Sequence, residues 1–110
     1  MVKQIHNVAL APYTTLGVGG PADTLVITDT REETIEALQK AEEPLWLLGY
    51  GSNCLISDEG LRGTTILWRG GDISQDDTTL TVDAGVLWDD LVQAAIEHNL
   101  WGFELMSEIP

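Results

Sequence analysis

Cysteine is nearly absent from this chain: Cys54 is its only thiol. A lone cysteine excludes an intrachain disulfide and any metal site built from several thiolates. Basic residues are also scarce. Five lysines and arginines stand against eighteen acids, for a formal charge of −13. Such a field repels nucleic acid and anionic membranes, so neither is expected as a partner. An anionic ligand would have to be held by local donors, and backbone N–H groups are the natural ones. The two histidines, His6 and His98, have no partner at metal-ligand spacing. Long apolar runs are missing too, since nothing approaches the ~20 residues that cross a bilayer. The opening MVKQIHNVALAPY has one lysine and no extended apolar stretch, so it does not read as a signal peptide. A cytoplasmic protein is expected.

What is present is the composition of a globular domain, with 44% apolar and 21% charged residues over 110 positions. A chain of this size buries roughly two-thirds of its unfolded surface. The first readable strand is DTLVIT, residues 23–28. Thr30 and Glu33 then form a T-x-x-E capping box, and Ile35, Ala37, Leu38 and Ala41 give the following helix a narrow apolar face. Pro44 closes the connection to LWLL, residues 45–48, which reads as a buried strand. Strand, helix, strand predicts a small βαβ unit with parallel strands. TTILW, residues 64–68, is β-rich, GGDISQDDT is a polar turn, and TLTVDA, residues 79–84, alternates with period two. An amphipathic helix begins near Leu87. Trp88, Leu91, Val92, Ala95 and Ile96 fall on one face, and Asn99 is its expected stop. His98 sits at the helix end that favours a cation. The fold class is α+β, a small βαβ subdomain followed by the start of a second one. An end on Ile-Pro without a polar tail reads as a truncated domain.

The chemistry concentrates at two glycine clusters. In LLGYGSNC, Gly49 and Gly51 follow a strand and match the start of a dinucleotide fingerprint. The third glycine is replaced by Cys54, however, and no helix begins there, so that reading fails. A Walker loop fails for want of G-K-[ST]. A plain tight turn and a backbone nest that converges N–H groups on an anion both remain; Ser52 and Asn53 would add a hydroxyl and an amide. The other cluster, TTLGVGGPAD, reads as a turn before the first strand. Cys54 reads as a small packed residue, since no basic neighbour is evident to activate it. The tryptophans read as core or interface anchors. Asp89 and Asp90 are adjacent, so on a helix they diverge and make a poor catalytic pair.

The order of the motifs is more specific than any one of them. YTTLGVGGPA, LLGYGSNCLISDEGLRG, VDAGVLWDDLV and LWGFELMSEIP together resemble the bacterial UDP-N-acetylenolpyruvoylglucosamine reductases of peptidoglycan synthesis, from about Pro12 to Pro110. Tyr13 stands where the family often has asparagine, Cys54 where a small aliphatic residue is usual, and Tyr50 fills a variable slot. The resemblance implies a PCMH-type FAD-binding fold, with residues 1–110 its N-terminal part and the substrate-binding domain absent. It implies that Gly49, Tyr50, Gly51, Ser52, Asn53 and Cys54 cradle the FAD pyrophosphate and that Ile109 approaches the flavin nucleotide. A valine at Gly51 is then expected to block the phosphate while leaving the fold intact.

The resemblance further implies hydride transfer from NADPH through FAD to the enolpyruvyl group of a UDP-sugar. The family's catalytic arginine, serine and glutamate have no counterpart in this chain. The fragment is therefore expected to bind FAD weakly and to be inactive alone. Two other classes stay open: another PCMH-type flavin oxidoreductase, and a non-catalytic α/β interaction module. Against the first, no histidine for covalent flavin attachment lies near either glycine cluster.

Overall fold

The strand-forming residues of the chain assemble on two internal strands. In the computed structural model, which describes residues 2–107 and 109, a four-stranded sheet has the order β1-β2-β4-β3. Its strands are β1 (Lys3–Ala9), β2 (Pro21–Thr28), β3 (Leu45–Leu48) and β4 (Leu61–Trp68). β2 and β3 both run parallel to β4, while β1 pairs antiparallel with β2. The expected parallel βαβ unit is present, but β4 lies between its two strands. The reason lies in composition: Thr64, Thr65, Ile66 and Leu67 are all buried, the continuous apolar or β-branched run that a strand covered on both faces requires. LWLL is instead an edge strand, with Trp46 40% and Leu47 63% exposed. The expectation of a buried strand there is corrected. β1 has no counterpart in the sequence reading, because KQIHNVA alternates weakly and carries mostly polar or small residues. Asn7 has φ 51°, and the ladder skips from His6–Thr24 to Val8–Ala22 across it.

α1 (Arg31–Lys40) begins where the capping box placed it. The Glu33 N–H donates to Thr30 Oγ1 at 3.2 Å, but the Glu33 carboxylate reaches one residue further back and accepts from the Asp29 N–H at 2.9 Å. That bond is the main reason the Glu33 carboxyl lies below its ordinary pKa. The buried side of α1 differs from the expected one. Thr34 is its buried residue, hydrogen-bonded to Thr28 at 2.6 Å, while Ile35 and Leu38 are exposed. A buried threonine pair under the helix, not the aliphatic pair, sets its rotation.

The other face of the sheet carries the core. Leu10, Ala22, Leu25, Ile56 and Leu67 are buried together, with Val8, Tyr13, Leu48 and Cys54 packed against them. These residues come from strands and from both glycine-bearing loops, so the core that stabilises the sheet also fixes the loops. β5 (Ile73–Asp76) and β6 (Thr79–Val82) form a separate antiparallel hairpin; part of the stretch read as a polar turn is therefore strand. α2 (Trp88–Glu97) buries Leu91, Val92 and Ala95. Ile96, expected on the same face, is 53% exposed. Asn99 ends the helix with φ 56°, as its position suggested, and His98 is the C-cap. Pro110, the second residue of the terminal Ile-Pro, lies outside the described residues.

Candidate cofactor site

Three parallel strands end on the same edge of the sheet. β3 runs into Gly49, β4 into Arg69, and β2 into Asp29. In open α/β sheets, ligands bind in the crevice beyond the carboxyl ends of such strands. A cleft of about 320 Å³ opens there, lined by Gly49, Tyr50, Ser52, Val86, Leu87 and Trp88, among others. Asp89 and Ile109 also border it.

Of the residues read as cofactor-binding, Gly49, Tyr50, Ser52 and Ile109 line this cleft. Gly51, Asn53 and Cys54 do not. Cys54 turns inward onto the core, in keeping with a packed residue, and Asn53 is exposed in the turn. Gly51 is buried with φ 76°, and a Cβ there would collide with the Tyr13 carbonyl and come within 3.0 Å of Thr14 Cα. Its carbonyl accepts the Thr15 N–H at 3.0 Å. Gly51 is therefore glycine because the two glycine clusters press together, and a valine there would disrupt the loop itself. The expectation that it would spare the fold is corrected. Gly49 is the opposite case: a Cβ would meet nothing within 4 Å.

The first glycine cluster is more than a turn before a strand. Thr14 Oγ1 donates to the carbonyls of Ala11 and Val18, closing the loop on itself. Gly20 donates to Ser57 O at 2.8 Å, and a Cβ at Gly20 would strike the Asp58 carbonyl. The cluster is the platform on which residues 51–60 lie.

Among the described residues, the backbone N–H groups of Tyr50, Gly51, Ser52 and Asn53 donate to no backbone carbonyl. Successive backbone donors without backbone partners, in a loop with a left-handed glycine, are the kind of group from which anion-binding nests are built. The first turn of α2 also reaches the cleft. It already carries Asp89 and Asp90, which satisfy its dipole. The donors without such a neighbouring charge are those of the loop.

Arg69 was not singled out from sequence. Its Nη1 donates to Gly49 O at 2.6 Å, and its guanidinium lies 4.1 Å from the centre of the Tyr50 ring. Burial draws its pKa down and the Tyr50 hydroxyl group pushes it partly back; arginine stays a cation throughout the working range. The Tyr50 hydroxyl donates to Gly85 O at 2.9 Å, and Gly70 N–H donates to the same carbonyl at 2.8 Å. The available signal was the scarcity of cations: one of only five falls directly after β4.

A larger groove of about 520 Å³ lies between α1 and the β1–β2 side of the sheet. It presents Glu33, Glu36 and Glu42 with Lys40 and His6, a charge balance unsuited to a diphosphate. Among the described residues, no group of three or more histidine, cysteine or acidic side chains is placed to hold a metal ion.

Residues 22–110 match the sequence profile of the FAD binding domain family. The chain is 39% identical to the UDP-N-acetylenolpyruvoylglucosamine reductase of Streptomyces coelicolor over 99% of its own length and 29% of that protein. It is 42% identical to the Thermobifida fusca reductase of the same name, over 96% of this chain and 32% of the relative. The crystal structure of the Thermus caldophilus UDP-N-acetylenolpyruvylglucosamine reductase superposes with a TM-score of 0.69 at 39% identity, over all of this chain and 38% of that one. The chain thus spans about a third of the length of the relatives it matches, and its α+β fold is that of the corresponding part of the reductase. By its sequence, and by a fold shared with a solved reductase, this chain belongs to the FAD binding domain family.

Proposed function

We propose that the chain is the N-terminal part of a PCMH-type FAD-binding domain and holds the FAD diphosphate on the backbone N–H groups of residues 50–53. One observation carries this reading: four consecutive N–H groups without backbone acceptors, in a loop at the mouth of a cleft on the carboxyl edge of the parallel strands. The residues fit the group. Gly49 leaves open space for close approach, Ser52 offers a hydroxyl, and Arg69 puts a cation behind the loop. Val86, Leu87, Trp88 and Ile109 give the cleft an apolar wall for the rest of the nucleotide.

In the whole protein the reading is a cytoplasmic, NADPH-dependent reductase acting on a UDP-sugar enolpyruvyl ether in peptidoglycan synthesis. Its support is the identity to reductases of that name. The bound flavin would supply hydride transfer; the residues of this chain bind and orient it and contribute no acid or base. The acidic surface supports a partner set without nucleic acid or anionic membrane. No helix among the described residues is long and apolar enough to cross a membrane.

The test is competition. FAD is titrated into the protein to millimolar concentration while its fluorescence is followed, with riboflavin, ADP and pyrophosphate compared. The reading expects FAD and ADP to bind, pyrophosphate to compete, and riboflavin to bind far more weakly. Gly49→Val should weaken FAD about tenfold or more with an unchanged urea midpoint, because its side chain enters open space in the cleft. Riboflavin binding as well as FAD would remove the diphosphate from the account.

A further inference from the structure

We infer that Arg69 is a positioning residue: its guanidinium, held flat on Tyr50, fixes the Gly49–Tyr50 peptide so that the Tyr50 N–H faces the cleft. The inference rests on the reading of residues 50–53 as a diphosphate cradle. In a trans peptide unit the C=O and the N–H point to opposite sides. Gly49 O is bound to Arg69 at 2.6 Å, so the Tyr50 N–H is turned away from Arg69. Gly49 and Tyr50 line the cleft and Arg69 does not. The peptide is thus pinned from behind, on the side away from the ligand.

A pin matters because the Gly49 end of this unit is open. A side chain at Gly49 would meet no atom within 4 Å, and glycine rotates more freely than any other residue. Arg69 is itself held at both ends. Its backbone N–H donates to Thr28 O at 2.7 Å at the end of β2. Its guanidinium rests 4.1 Å from the centre of a Tyr50 ring whose hydroxyl is tied to Gly85 O. Contacts therefore run from β2 through Arg69 to both sides of the Gly49–Tyr50 unit. A planar guanidinium can stack and donate at once, and an ammonium cannot.

The experiment compares the wild-type chain with Arg69→Met and Arg69→Lys, using FAD and inorganic pyrophosphate as probes. Affinity is measured by titration, and the Tyr50 amide is followed by ¹⁵N NMR. FAD should bind Arg69→Met about tenfold more weakly or worse and Arg69→Lys severalfold more weakly. The wild-type Tyr50 amide should shift on addition of pyrophosphate and that of Arg69→Met should not. The affinity gap should persist from about 0.1 M to about 1 M salt, where a merely electrostatic role would be screened. Wild-type affinity with an equally responsive Tyr50 amide in Arg69→Met overturns the inference and leaves the cradle standing. If Arg69→Met melts, Arg69→Lys decides, and wild-type affinity there overturns it. If the wild-type amides of residues 50–53 ignore both probes, the cradle falls and the inference with it.

Discussion

Gly49 and Gly51 are two positions apart and are glycine for different reasons. Gly51 has φ 76° and no room for a Cβ against Tyr13. Gly49 has neither constraint. Gly51→Ala should therefore lower stability by at least about 1–2 kcal/mol from the left-handed backbone alone, with more from the collision, and urea denaturation would show it. Gly49→Ala should leave the midpoint in place, and equal losses for the two would mean the loop was misread. The sequence located this loop, because glycines after a strand and a serine-asparagine pair are visible in one dimension. Which glycine borders the cleft and which packs against protein was not visible, since it depends on Tyr13, nearly forty positions earlier. Arg69 was hidden for the same reason: its partners Gly49, Tyr50 and Thr28 are close only after β2, β3 and β4 align.

At the scale of elements, the caps and periods were legible and the buried faces only partly. α2 keeps the core positions that its period indicated, except Ile96. Leu91→Ala should cost about 2–5 kcal/mol and Ile96→Ala at most about 0.5 kcal/mol. Comparable costs in chemical denaturation would restore the wider face. In α1 the apolar pair Ile35 and Leu38 misled, because the Thr28–Thr34 hydrogen bond sets the rotation. The start of α1 makes a pH prediction. The Asp29 N–H holds the Glu33 carboxyl below its ordinary pKa. Its stabilisation is therefore present above the unfolded carboxyl range, about pH 4.3, and lost as pH falls through the lower folded value. Glu33→Gln should melt lower than wild type near pH 7, and the gap should close as pH falls through the carboxyl range. A gap that is constant with pH would show that the carboxylate charge is not involved.

Over the whole molecule, a charge of −13 and an anionic cofactor are reconciled by geometry. On the proposed reading the donors are backbone groups on the carboxyl edge of three parallel strands, with a half-buried arginine behind them, while the groove beside α1 presents three glutamates. The order of the motifs carried the family resemblance. It could not show that β4 lies between β2 and β3, or that β1 pairs with β2 at the sheet's edge, because strand order is set by long-range pairing. The central claim is that backbone N–H groups of residues 50–53 hold the FAD diphosphate. Amide hydrogen exchange with and without saturating FAD tests it most directly. Marked slowing is expected at residues 50–53, with no change at Glu33, Glu36 or Glu42. Bound flavin with unprotected amides at residues 50–53, or protection confined to the groove beside α1, would contradict it.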